Sequence, residues 1–164
     1  ISMMPTNLYG PGDNYHPENS HVMASLIRKF CEAEKTKSEE VICWGTGSPL
    51  REFLHVEDLA SAVLFLLENW HPDSVESPKD IFGKPLFHLN VGTGKDISIR
   101  ELACVIAKLT GFKGRIIWDK DKPDGTPRKL LDISKIKSLG WEPRIDLDIG
   151  IKLAIKDYKE KYLD

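Results

Sequence analysis

An α/β fold is predicted for this chain of 164 residues from three observations. Short apolar runs alternate with longer segments whose apolar residues recur at helical spacing. Glycine and proline punctuate the joins between them. The first apolar run, residues 1–4, gives way to a polar loop over 5–19, and α/β proteins gather their ligands where strands end.

Each element follows from local pattern. Residues 1–4 read as a buried strand, an unusual start because free termini are ordinarily polar and frayed, so the chain is expected to lie inside a longer polypeptide. Ser20 or Asn19 can cap a helix to about residue 34, with Val22, Met23, Leu26, Ile27, Phe30 and Ala33 on one face. Residues 39–44 read as a strand, 45–48 as a turn and 51–54 as a second extended piece. These two strands are expected as a hairpin or as neighbours. A helix over 56–68 has Glu57 and Asp58 in its first turn, where the helix dipole favours anions. Residues 71–85 carry Pro72, Pro78, Gly83 and Pro85 without periodicity and make a surface loop. Residues 86–91 form a strand leading into Gly92-Thr93-Gly94. Ser98 and Glu101 then make a capping box ahead of a helix that buries Ile99, Leu102, Ala103, Ile106 and Leu109. Residues 115–118 are a strand, 119–128 an extended polar loop, and 134–139 a short helix stopped by Gly140. The last helix, 147–162, buries Leu147, Ile151, Ala154, Ile155 and Tyr158.

With 41% hydrophobic residues the chain can enclose one core, with a small lobe attached at most. A net charge of −2 with both signs mixed leaves no basic face for nucleic acid, and no apolar run is long enough to cross a bilayer. The start Ile1-Ser2-Met3-Met4 shows no signal-peptide pattern. Cys31, Cys43 and Cys104 are widely separated, without C-x-x-C spacing, and are expected as reduced, buried thiols of a cytoplasmic protein. No metal site is expected. His16, His55, His71 and His88 read as structural or surface residues.

Three places can carry chemistry. Pro5-Thr6-Asn7-Leu8 exposes backbone at a strand end and is either a plain turn or a site wall, and His21 in the first turn of the following helix is either a capping or surface residue or a general acid. A helix amino terminus disfavours imidazolium and a nearby anionic ligand favours it, which is the balance an acid needs. Trp44 and Arg51 read either as core packing and a solvated strand end or as a ligand contact, since a guanidinium can grip two phosphate oxygens in one plane. Lys122-Pro123-Asp124-Gly125-Thr126-Pro127-Arg128-Lys129 is an ordinary turn followed by two cations that could close over a dianion. By contrast Gly92-Thr93-Gly94 lacks the third glycine of a dinucleotide fingerprint, Ile97 standing in its place, and reads as structural.

The run Pro5-Thr6-Asn7-Leu8-Tyr9-Gly10-Pro11, and above all His16-Pro17-Glu18-Asn19-Ser20-His21-Val22, resembles the GDP-L-fucose synthases of the extended short-chain dehydrogenase/reductase superfamily. The run from Arg51 to Ala60, the run from Lys122 to Asp132, and Leu139-Gly140-Trp141-Glu142-Pro143 are similar to further superfamily elements, the second of them to those of GDP-sugar members. The resemblance spans the whole chain but only the carboxyl-terminal half of such an enzyme. It implies a single unit over 1–164: residues 1–20 as the end of the Rossmann part and the active-site loop, 21–164 as mainly the sugar-nucleotide lobe, and the NADP-binding domain absent. It further implies that Pro5, Thr6, Asn7 and Leu8 lie against the nicotinamide end of NADP(H), and that His21 is the acid of epimerisation and also meets the cofactor. Lys29, Trp44, Arg51, Asp124 and Lys129 would contact GDP-4-keto-6-deoxy-D-mannose or GDP-L-fucose, with Arg128 as a further candidate near the diphosphate. The resemblance also implies a homodimer for the complete enzyme. The tyrosine with lysine four residues on, the glycine-rich fingerprint and the epimerisation cysteine of that family match nothing here, so the polypeptide alone is expected to be inactive.

Overall fold

The computed structural model describes residues 1–163. Along them run β1 (Ser2–Pro5), β2 (Asn7–Tyr9), α1 (Val22–Thr36), β3 (Glu40–Trp44), β4 (Leu50–His55), α2 (Val56–Asn69), β5 (His88–Val91), β6 (Asp96–Ser98), α3 (Ile99–Thr110), β7 (Arg115–Asp119), β8 (Arg128–Lys129), α4 (Ser134–Ser138) and α5 (Leu147–Tyr162). The helices fall where the 3.6-residue periodicity puts them, and Ser98 and Glu101 form the expected reciprocal cap of α3. The cap of α1 does not fall on Asn19 or Ser20. His21 occupies that position with extended backbone, and its side chain makes no capping bond.

The chain changes neighbours at Thr6. β1 runs parallel to β5, with Met4 opposite Asn90, whereas β2 runs parallel to β4, with Asn7 opposite Phe53. Thr6 itself still donates its N–H to the Val91 carbonyl at 3.0 Å. Two neighbouring strands therefore splay apart just beyond Pro5, and a crevice opens there, as at the switch points of open sheets. β4 is the hub of the second sheet, parallel to β2 and to β8 and antiparallel to β6.

Two expectations fail here. β3 and β4 are neither hairpin nor neighbours: β3 pairs with β7, Ile42 opposite Ile117, in a separate parallel ladder. The intervening glycine turn supplies direction, but only burial of Val41 and Cys43 against α1 selects the partner. Ile1 and Met4 are exposed, because β1 has a neighbour on one side only.

Two apolar clusters form in place of one core. The larger joins α1, α3 and α5 to the inner faces of β3 and β4 around Met23, Phe30, Leu102, Ile106 and Ile151. The second packs α2 and α4 on β5 and Leu54 around Leu66, Leu89, Ile136 and Trp141. Among the described residues no helix is long and apolar enough to cross a membrane.

Candidate functional site

The crevice beyond Pro5 is walled by Pro5, Thr6 and Asn7 on one side and by Arg128, Lys129, Leu130 and Leu131 on the other, and encloses about 380 Å³. The wall residues are pinned from below. The Thr6 hydroxyl and the Asn7 amide both donate to the Glu52 carbonyl, at 3.2 and 2.7 Å. Their polar side chains are thus committed inward, and what they offer a ligand is backbone. Leu8 turns its side chain into the second apolar cluster.

Arg51 lies opposite Lys129 in the β4–β8 register. Paired residues of a ladder point to the same side of the sheet, so the two cationic side chains leave β4 and β8 on one face, and the Arg51 guanidinium also donates to the Leu50 carbonyl at 2.8 Å. Among the described residues neither is in an ion pair. Gly125 approaches the Arg51 guanidinium so closely that a Cβ there would lie 3.6 Å from it. Arg128 does not join them. Its Nε meets the Asp96 carboxylate at 2.6 Å, and that bond holds the guanidinium proton more tightly still. Alternation along β8 puts neighbouring side chains on opposite sides, which a linear reading of two adjacent cations cannot resolve.

A second group forms along the first half of α1. Trp44, 62% exposed at the end of β3, has the Lys29 ammonium 5.7 Å and the Lys122 ammonium 5.5 Å from its ring centre. Lys29 also donates to the Ile42 carbonyl at 2.9 Å, and burial lowers its pKa. Both Lys29 and Trp44 line a cleft of about 270 Å³ with Ser20, Val22 and Trp118; His21 falls between two of these in sequence and is exposed. Asp13, nearby, has its carboxyl raised by burial, an effect the Asn14 N–H and the charge of His21 partly offset.

Asp124 is exposed and bonded to the turn after β3. Its carboxylate accepts from the Thr46 N–H at 2.6 Å and the Thr46 hydroxyl at 2.7 Å, so it latches the loop bearing Lys122 onto the turn after β3. Gly45 makes the approach possible, since a Cβ there would lie 2.2 Å from Asp124 Oδ1.

Sequence reasoning missed Lys122, Thr46 and Glu52. A charged residue among apolar strand neighbours, as in Glu52-Phe53-Leu54, is the signal that could have found the last, because a buried carboxylate must be paired. Gly92-Thr93-Gly94 is structural, as expected: its backbone donors are taken by that same Glu52 carboxylate. Cys31 and Cys43 are buried but Cys104 is exposed, against expectation, since it faces outward on α3. Among the described residues no cluster of His, Cys, Asp and Glu could hold a metal ion.

Comparison with known proteins gives the site its context. Residues 1–82, half of the chain, match the NAD dependent epimerase/dehydratase family. The GDP-L-fucose synthase 1 of Arabidopsis thaliana is 54% identical over 151 residues, covering 92% of this chain and 43% of that protein. Among solved structures, a GDP-6-OMe-4-keto-L-xylo-heptose reductase from C. jejuni is similar at TM-score 0.87 and 33% identity, over 98% of this chain and 54% of that one. A GDP-L-fucose synthetase from Naegleria fowleri bound to NADP is similar at TM-score 0.83 and 26% identity, over 99% and 47%. The chain spans about half the length of the proteins it matches. These likenesses bear out the expected α/β fold and the resemblance to GDP-L-fucose synthases.

Proposed function

The chain belongs to the NAD dependent epimerase/dehydratase family, and from that premise we propose that it is the GDP-sugar-binding part of a cytoplasmic, homodimeric GDP-L-fucose synthase. The complete enzyme would convert GDP-4-keto-6-deoxy-D-mannose to GDP-L-fucose by 3,5-epimerisation and 4-keto reduction. The observation that carries this reading is the register pairing of Arg51 with Lys129, a residue of the crevice wall beyond Pro5. Two like charges on neighbouring strands repel unless a dianion lies between them, and a diphosphate answers that demand.

The roles divide accordingly. Arg51 would grip the diphosphate in the plane of its guanidinium, with Lys129 as a point charge beside it. Trp44 and Lys29 would extend the contact along α1, while Asp124 would serve the ligand indirectly, by holding down the loop that carries Lys122. His21 would hold the proton that its ring nitrogen returns to the sugar during epimerisation. Pro5, Thr6, Asn7 and Leu8 fit one face of a nicotinamide through their backbone, and His21 would border it. A bound NADPH would supply the hydride for carbon 4. The sequence contains no glycine-rich fingerprint and no tyrosine with lysine four residues on, so binding without turnover is expected from this polypeptide by itself.

A reductase acting on another GDP-sugar is the second reading, favoured by the likeness to the heptose reductase. Calorimetry with GDP, UDP, GDP-L-fucose and GDP-mannose tests both. GDP compounds should bind and UDP should not, with GDP-L-fucose ahead of GDP-mannose; the reverse order favours the second reading. Arg51→Ala should weaken GDP about 10- to 100-fold, the worth of one charge-assisted contact. Equal affinity for UDP, or no change in the variant, would remove the proposal.

A further inference from the structure

Glu52 stands where the elements bordering the cation pair meet, and its side chain is completely buried. Oε1 accepts from the N–H groups of Thr93 and Gly94, each at 2.7 Å, with the Thr93 hydroxyl farther off at 3.4 Å. Oε2 accepts from the Leu131 N–H at 2.9 Å. The carbonyl of the same residue takes the Thr6 and Asn7 side chains. One residue therefore ties together the crevice wall, the loop after β5 and the segment after β8. Gly92 permits the arrangement, since a Cβ there would lie 2.3 Å from Oε1.

β8 is two residues long and, among the described residues, pairs only with β4. A ladder so short cannot hold its own register. It is fixed at one end by Leu50 N–H, which donates to the Pro127 carbonyl at 2.9 Å, and at the other by Leu131 N–H on Glu52. Lys129 lies between these two ties.

We infer that Glu52 is a positioning residue for nucleotide binding: it touches no ligand, but its carboxylate sets Lys129 opposite Arg51 while its carbonyl holds the facing wall. The inference rests on the reading of Arg51 and Lys129 as a diphosphate site. It places the determinant of that site in a buried anion rather than in the cations alone. Glu52→Gln keeps the shape but replaces one acceptor oxygen with a donor. Whichever way the amide turns, an N–H then confronts either Leu131 or the Thr93–Gly94 pair, and one tie is lost.

The test is a double-mutant cycle on the full chain, read by calorimetric titration with GDP. Circular dichroism would check that each variant is folded at the titration temperature. Lys129→Ala should weaken GDP roughly tenfold in the wild-type background and Glu52→Gln by a similar factor. The two together should be no more than about twofold weaker than Glu52→Gln alone, because a displaced lysine has nothing left to lose. General loosening of the fold would instead leave the lysine effect at full size. A full tenfold effect of Lys129→Ala in the Glu52→Gln background, or wild-type affinity in Glu52→Gln, overturns the inference and spares the proposed function. Absence of GDP binding to the wild type overturns both. Should Glu52→Gln not fold, Gly92→Ala displaces the same carboxylate without altering its charge, and the same cycle with Lys129→Ala decides.

Discussion

Asp124 and Glu52 carry the same functional group, and their surroundings give them different work. Glu52 is sealed among backbone donors, whereas the Asp124 carboxylate sits at the surface, held below the ordinary carboxylate range first by the Thr46 hydroxyl and then by the Thr46 N–H. A lowered pKa in the folded state adds stability that is present above the unfolded value, about 3.9, and is lost as pH falls through the folded one. The thermal midpoint of the wild type should therefore fall more steeply than that of Asp124→Asn as pH drops from roughly 4 to 2. Parallel curves in a calorimetric pH series would show that the latch contributes nothing. Residue types at the candidate site were legible in the sequence: Lys129 reaches the crevice, Trp44 and Lys29 reach the cleft, and Arg51 pairs with Lys129 across the β4–β8 ladder. The partner of Asp124 was not, because Thr46 lies across the fold and nothing in a Pro-Asp-Gly turn says which backbone amide it will meet.

The helix ends show the same limit one level up. Ser98 caps α3 reciprocally with Glu101, a bond made within four residues and hence readable in advance. α1 begins instead on a histidine that does not cap. The acid role proposed for His21 would account for a histidine there, at a cost in helix stability. His21→Ser suits the extended backbone found there and should stabilise α1 by about 1 kcal/mol, raising the melting temperature by roughly 2–4 °C. Epimerisation by the complete enzyme should be lost in the same variant, measured as solvent deuterium entering the sugar. An unchanged melting temperature would mean that the α1 amides are already satisfied. Helices were read correctly because their periodicity is local. Strand partners were not, since β3 finds β7 beyond two intervening helices, and alternation along β3 fixes only which side faces inward.

At the scale of the whole molecule, two apolar clusters hold two sheets whose divergence at Thr6 makes the crevice. Burial in the larger one pushes the Cys31 thiol up to about 12 and raises Cys43 as well. Thiolate is the reactive form, so native protein should be alkylated at Cys104 alone, with Cys31 and Cys43 labelled only after unfolding. Mass spectrometry of iodoacetamide-treated protein checks this, and native labelling of Cys31 would mean the cluster opens. Amino-acid order by itself determined the helices, the reciprocal cap of α3, and the chemical character of the candidate site, because each depends on residues close together along the chain. Tertiary structure alone decided which cation stands beside Arg51, which carboxylate is used as scaffold and which amide it holds. Those choices arise where distant segments cross, and there the energy of one buried charge depends on donors that no local pattern specifies.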